Sequence, residues 1–142
     1  MVINKLRDHW QAEEFDNLAE VYSPEALLDI YVPADRMQYR GIEAIVAFWR
    51  SDCGRLRQFR FLHWIEHPTP WGFVIETSVL DEPTGEYFRW VNLVFAVDDR
   101  IIHHVVYCTG AWTSAAALRW EPDADTITRS QISADLAIAA AT

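Results

Sequence analysis

Three polar side chains, Glu76, Arg89 and His104, fall on neighbouring segments that the sequence pattern predicts to be β-strands. Side chains alternate between the two faces of a strand, so symmetric turns at 81–86 (DEPTGE) and 97–100 (VDDR) would place all three on one face. Histidine titrates near neutral pH, a carboxylate can orient its ring, and arginine can stabilise an enolate or bind a carboxylate. The spacing therefore predicts an acid–base catalytic group of His104, Glu76 and Arg89.

A structural role is the alternative for this group. Glu76 and Arg89 could form an ion pair in a wet cavity, with His104 hydrogen-bonded to either of them. The residues that we predict to contact a substrate are His63, Ser78, Val91, Val106 and Trp49. His63 joins the group only if the turn at 67–72 (HPTPWG) is symmetric as well. A register error of one residue in any of these turns would move a whole strand's side chains to the opposite face.

The sequence contains no pattern typical of a metal or cofactor site. Adjacent strand residues point to opposite faces, so His103 and His104 cannot bind one ion in regular geometry. The two cysteines, Cys53 and Cys108, are far apart, and Cys108 has no activating partner in the sequence. Glycine-rich phosphate-binding loops are missing too. We therefore predict a chemistry that needs neither a metal nor a cofactor.

The first third of the chain predicts helices around one strand. Residues 2–22 carry apolar side chains every three to five positions, which indicates an amphipathic helix or a broken pair of helices, and Pro24 ends it. Residues 25–32 predict a strand. Gly41 opens a further helix, which we expect to end near residues 53–54.

A run of strands follows from Arg57. The turns at 67–72, 81–86 and 97–100 divide it into four antiparallel strands that form a meander. Helices followed by hairpins predict an α+β fold, in which N-terminal helices pack on a curved, mainly antiparallel sheet that spans about residues 57–112.

The chain divides into two predicted regions. Residues 1–112 are expected to form one domain around a single core. Residues 113–142 are rich in Ala, Asp, Ser and Thr. Their apolar residues follow neither the helical nor the strand period, which predicts a C-terminal arm or a partly disordered tail. Within it, Ser130 could cap a short helix that runs through Ala141.

Composition narrows the kind of partner. The formal net charge of −9 opposes binding to nucleic acid and to an anionic membrane, and no apolar stretch approaches the length of a membrane span. Apolar residues make up 51% of the 142 residues, and seven are tryptophan, which is more bulky apolar surface than one core needs. We therefore predict a hydrophobic small-molecule ligand, flat or aromatic in shape. The two cysteines indicate no disulfide framework, which predicts a cytoplasmic location.

Two stretches resemble the cone-shaped domains of the nuclear transport factor 2-like and SnoaL-like superfamily. AEVYSPEALLDIYVP followed by YRGIEAIVAFWR is similar to that superfamily's helix, acidic-apolar strand and Gly-x-x-x-Ile helix start. FAVDDRIIHHVVYCTGAW is similar to its final strand pair. The resemblance covers about residues 5–112. It implies that N-terminal helices and a curved sheet enclose an apolar pocket, and that Glu76, Arg89 and His104 point into it.

The resemblance leaves two functions open, because fold alone does not fix function. One is a cofactor-free acid–base enzyme of the isomerase, dehydratase or cyclase type, acting on a hydrophobic, aromatic or polycyclic substrate. The other is a non-catalytic ligand-binding or dimerisation module. The ketosteroid isomerase positions hold Leu6, Ile30 and either Val91 or Asn92, and the epoxide hydrolase positions hold Glu76, Ser78 and Thr109. Asp29 adjoins the isomerase base position but would face the opposite side, so neither activity is identified.

The second face of the predicted strands is also apolar. It carries Trp90, Val94, Val105 and Tyr107, which would form a large exposed patch in a monomer. We therefore predict a homodimer that buries this outer face.

Overall fold

The computed structural model describes residues 1–51 and 59–113, in which residues 1–112 form one compact unit. The predicted helix end near residues 53–54 and the predicted tail lie outside the described residues, and the division into two regions stays a prediction. The elements are α1 (Val2–Gln11), a 3₁₀ helix (Phe15–Glu20), β1 (Tyr22–Val32), β2 (Asp35–Arg40), α2 (Ile42–Phe48), β3 (Phe59–Thr69), β4 (Gly72–Asp81), β5 (Glu86–Val97) and β6 (Arg100–Cys108).

The six strands form one curved, open sheet in the order β2-β1-β6-β5-β4-β3. Only the β1–β6 pair is parallel, and the predicted meander of β3 to β6 is confirmed. The predicted α+β class is therefore confirmed. The sequence did not predict β2, a polar strand at the sheet edge that follows a turn at Ala34, whose φ is 66°.

Pro24 does not end a helix, as the sequence predicts, but lies inside β1. The pairing of β1 with β6 is irregular between Tyr22 and Leu27, so Pro24 falls where a backbone donor is not required by the ladder. As a result, Tyr22 is the first residue of a strand rather than the last residue of a helix.

The helices pack on one face of the sheet, which we call the inner face. Leu6 and Trp10 of α1 and Ile45 of α2 are buried against it. On β4 and β5 the inner face carries Ile75, Thr77, Val79, Phe88, Trp90, Asn92 and Val94. The opposite, outer face of the same strands carries Val74, Glu76, Ser78, Arg89, Val91 and Leu93.

A β-bulge sets the register between β5 and β6. The turn pairs Val97 with Arg100, as predicted, but Ile102 is then an extra residue between the pairs Ala96–Ile101 and Phe95–His103. His104 therefore lies opposite Val94 rather than opposite Leu93. From His104 onward, each β6 side chain lies on the sheet face opposite to the one predicted relative to β5, so His104 shares a face with Asn92 and Val94.

The bulge also changes the predicted apolar patch. Trp90 and Val94 are buried on the inner face, so their prediction as outer residues is wrong, whereas Val105 and Tyr107 do lie on the outer face. Exposed apolar side chains on the outer face include Val91, which is 39% exposed, and Tyr107, which is 47% exposed. Within the described part of the chain, no helix is long and apolar enough to cross a membrane.

Candidate functional site

The predicted catalytic group is divided between the two faces of the sheet. His104 is fully buried on the inner face, whereas Glu76 and Arg89 lie on the outer face. There the Glu76 carboxylate bonds His67 Nε2 at 2.8 Å, and the Arg89 guanidinium lies over the Trp112 ring. The prediction that the three residues share one face is wrong because of the bulge at Ile102. A catalytic role for each of them stays a prediction.

The predicted substrate-contacting residues are divided in the same way. Trp49 and Val106 are buried on the inner side. Ser78 and Val91 lie on the outer face, and exposed His63 pairs with Ser78 across β3 and β4. The symmetric turn predicted at 81–86 is confirmed, since Asp81 pairs with Glu86. The turn within 67–72 instead pairs Thr69 with Gly72, so His63 lies opposite Ser78 on the face away from the helices.

His104 joins two other buried polar side chains in a chain of hydrogen bonds. Its Nδ1 is 2.7 Å from the Tyr22 hydroxyl, and its Nε2 is 3.0 Å from Asn92 Oδ1. The Asn92 amide donates in turn to the backbone oxygen of Ile75 at 3.5 Å. Tyr22, His104 and Asn92 are each 0% exposed. We call these three residues the buried triad.

Burial keeps the triad neutral. It lowers the pKa of His104 to about 3, with a smaller contribution from nearby His103, and it raises the pKa of Tyr22. A neutral imidazole has one N–H, and the Asn92 oxygen can only accept. We therefore assign the proton of His104 to Nε2, which leaves Nδ1 to accept the Tyr22 hydroxyl hydrogen. His104 does not titrate near neutral pH in this environment, contrary to the premise of the sequence argument.

A cluster of aromatic rings around Trp10 lies against the His104 side of the triad. The Trp10 indole stacks on the His104 ring, with centroids 5.6 Å apart, and on Phe61 at 5.9 Å. Trp64 and Trp90 present their rings nearly perpendicular to it, at 6.0 and 6.3 Å. Trp49 is closer still, at 4.7 Å. We call these five rings and that of His104 the aromatic shell.

Three buried polar atoms inside this region make no hydrogen bond with the described residues: Trp10 Nε1, Trp49 Nε1 and Thr77 Oγ1. The Trp49 indole N–H is near enough to the Tyr22 hydroxyl to lower its pKa and offset part of the rise caused by burial, but it does not reach the geometry of a hydrogen bond. Buried donors in proteins nearly always find a partner, and each one left without costs about 1–3 kcal/mol. The interior is therefore short of hydrogen-bond acceptors.

The outer face contains a second polar group. Asp29 accepts two hydrogen bonds from the Arg36 guanidinium, at 2.9 and 2.7 Å, and these bonds lower the pKa of its carboxyl group. His103 Nε2 lies 3.9 Å from the same carboxylate. Asp29 thus faces away from the triad, as the alternation argument predicts, and its carboxylate is already paired.

Two other features lie apart from the triad. A surface pocket of about 280 Å³ opens between the 3₁₀ helix and α2, with an Asp16–Arg50 ion pair at its rim. Cys108 is a free, half-buried thiol. No cluster of three metal-ligating side chains occurs among residues 1–51 and 59–113, and the prediction of metal-free chemistry stays a prediction.

The sequence argument missed two members of the triad. Asn92 could have been found, because it is the one amide in the alternating apolar set Phe88, Trp90, Asn92 and Val94, and a buried amide needs a partner. Tyr22 gave no such signal, since its position before Pro24 indicates a helix end.

Comparison with known proteins supports the fold but not a specific activity. No protein-family profile and no curated protein matches the sequence. Solved structures do match. A candidate polyketide cyclase from Sinorhizobium meliloti has a TM-score of 0.63 and 15% identity, covering 74% of this chain and 92% of that one. An NTF2-like protein of unknown function from Mesorhizobium loti has a TM-score of 0.61 and 21% identity, covering 77% and 88%. An epoxide hydrolase from M. tuberculosis has a TM-score of 0.57 and 15% identity, covering 75% and 79%.

Proposed function

We propose that this chain, which has the nuclear transport factor 2-like fold, binds a hydrophobic small molecule at its inner face and transfers protons on it without a cofactor. The observation that carries the proposal is the 2.7 Å hydrogen bond between two fully buried titratable side chains, Tyr22 and His104. Buried groups with strongly shifted pKa values are typical of functional sites. The expected chemistry is an isomerisation, dehydration or cyclisation.

The triad has the parts that proton transfer next to a carbonyl group requires. When a ketone replaces the hydrogen bond between these two side chains, His104 Nδ1 accepts the proton as the C–H bond breaks, and the Tyr22 hydroxyl donates to the carbonyl oxygen that gains negative charge. The same proton then returns to carbon. Asn92 is a positioning residue, because its oxygen holds the Nε2–H tautomer, in which Nδ1 is the nitrogen that accepts a proton.

Comparison with solved structures adds support of a general kind. The proteins from S. meliloti and M. tuberculosis, which share the fold, are named as a cyclase candidate and an epoxide hydrolase. Both names denote chemistry on small organic molecules. The aromatic shell favours a ligand that is apolar and flat, because ring faces and edges line the space around Trp10.

Deuterium incorporation into 2-tetralone in D2O, followed by NMR, tests the proposal. This ketone has acidic C–H bonds beside its carbonyl group and a fused ring. We expect protein-dependent exchange that His104→Gln lowers about a hundredfold, because positioned proton transfer contributes about that much. His103→Gln is the matched control, since its ring lies on the outer face. Equal exchange in the two variants would contradict the proposal.

A non-catalytic ligand-binding module is the second candidate. The low pKa of His104 favours it, because a neutral ring whose two nitrogens are both hydrogen-bonded is a weak base. Saturable binding of 2-tetralone by the wild-type protein without any deuterium exchange above buffer would support this candidate and exclude the catalytic one.

A further inference from the structure

We propose that the Trp10 indole occupies the position of the ligand, and that the ligand is a flat, uncharged fused-ring molecule bearing a hydrogen-bond acceptor such as a carbonyl oxygen. The inference deepens the proposed function and rests on it for the location of the site. It adds the shape and polarity of the occupant and the side chain that has to leave.

The rings around Trp10 form a slot for a flat bicyclic group. Phe61 lies parallel to the indole, with an interplanar angle of 3°, and the His104 ring covers it at 28°. Trp64 and Trp90 meet it at 77° and 74°, edge against face. Stacked and edge-to-face contacts are the arrangements that aromatic rings prefer. A ligand of similar outline would make the same contacts.

The polarity of the slot does not suit the indole that fills it. The nearby acceptors are in use, since His104 Nδ1 accepts from Tyr22 and Asn92 Oδ1 accepts from His104. Trp10 Nε1 is a donor, 2% of this residue is exposed, and the atom has no partner in the described part of the chain. Trp49 Nε1 and Thr77 Oγ1 are in the same state. Once the indole has left, an occupant that accepts hydrogen bonds would satisfy Trp49 Nε1 and Thr77 Oγ1, whereas the indole, which has no acceptor, cannot.

The side chains around the slot also disfavour a charged ligand. The rings that contact Trp10 are neutral, because burial keeps His104 uncharged at physiological pH. The Arg7 guanidinium, on the same helix, is already paired with Glu66 at 3.2 Å. A buried ion without a counter-charge is strongly disfavoured. A ketone or another neutral acceptor therefore fits the slot better than a carboxylate does.

The first test compares three probes of similar outline on the wild-type protein: 2-acetylnaphthalene, naphthalene and 2-naphthoate. We expect 2-acetylnaphthalene to bind about tenfold more tightly than naphthalene, as one gained hydrogen bond would give, and 2-naphthoate to bind more weakly than 2-acetylnaphthalene. The Trp10 indole N–H resonance, assigned from Trp10→Phe, should shift and exchange with solvent on saturation. Equal affinities, or an unchanged Trp10 resonance, would overturn the inference.

Variants separate the displaced side chain from the donors. Trp10→Leu should raise the affinity for 2-acetylnaphthalene about tenfold, because the ligand no longer competes with the indole. Thr77→Val has the same shape without the hydroxyl and should lower the affinity for 2-acetylnaphthalene but not for naphthalene. If Trp10→Leu does not fold, the wild-type resonance and Thr77→Val still decide the outcome.

The two proposals can fail separately. Absence of deuterium exchange by the wild-type protein, with probe binding intact, would reject the catalytic role and leave the slot in place. Absence of probe binding would reject the slot, whatever the exchange rate of 2-tetralone.

Discussion

The polar side chains on the two faces of the sheet differ in charge and in burial. On the inner face, Tyr22 and His104 are fully buried, bonded to each other and uncharged. On the outer face, Asp29 is ionised against Arg36, and Glu76 bonds His67. Burial removes charge where no ion pair is available, and pairing retains it where one partner reaches water. Whether a histidine or an acid keeps its charge here therefore depends on its burial and on its partner more than on its type.

The largest contrast should come from two tryptophans. Trp10→Ala removes a ring that is 2% exposed and should lower the free energy of unfolding by about 3–5 kcal/mol, through lost contacts and the cavity left behind. Trp71→Ala removes a ring that is 39% exposed and stacked on Phe95, and should cost about 1 kcal/mol. Urea unfolding of both variants measures the difference. Similar losses would mean that the outer face is as well packed as the inner one.

A smaller contrast should come from polar substitutions on the same two strands. Asn92→Leu leaves the His104 N–H without an acceptor and should lower the free energy of unfolding by about 1–3 kcal/mol. Glu76→Gln, on the outer face, weakens a solvent-accessible pair with His67 and should change the free energy of unfolding by less than about 0.5 kcal/mol. Chemical denaturation checks both values, and a neutral Asn92→Leu would show that the triad is not a tight network.

Much of the fold follows from local signals in the sequence. The hairpin turns are encoded by their own residues, as at Asp98 and Asp99, whose φ angles of 50° and 58° suit a two-residue turn. Strand alternation then gives the correct pairs across β4 and β5. The sequence pattern did not predict the edge strand β2, because its apolar residues alternate over too short a run.

The site could not be predicted because one residue decides it. Ile102 looks like any other strand residue, and both faces of β5 carry apolar side chains, so the sequence pattern does not reveal a bulge there. The shift separates His104 from Glu76 and pairs its ring with Asn92 instead. The interior position of His104 itself, implied by the family resemblance, is what the structure shows.

The pH dependence of stability should distinguish the two faces. The folded-state pKa of His104, about 3, is below its ordinary value of 6.5, so between these values the unfolded chain binds the extra proton. The free energy of unfolding should fall by about 1.4 kcal/mol per pH unit as the pH drops through this window. His104→Gln should remove this slope.

Asp29 on the outer face provides the control. Its pKa is lowered from 3.8, so its contribution to the free energy of unfolding is present above that value and is lost at lower pH. Asp29→Asn should therefore leave the slope between pH 6.5 and 3.8 unchanged. A His104→Gln protein with the wild-type slope would contradict the neutral triad.

A further contrast should appear on the outer face, where we expect two copies of the chain to meet. Tyr107 and Val91 pair across β5 and β6 and are the exposed centre of that face, and Tyr107 also stacks on Tyr31. An apolar patch of this kind is stabilised by contact with a second copy, because water is removed from both. We therefore expect a dimer at micromolar concentration in analytical ultracentrifugation.

Tyr107→Lys would place two charges near each other in the interface and should raise the dissociation constant about tenfold, which is about 1.4 kcal/mol. Gln11→Lys, an exposed position on α1, is the matched control for the added charge and should leave the dimer unchanged. A wild-type protein that sediments as a monomer would contradict this prediction, and the triad would be unaffected, since its three residues all lie on the other face.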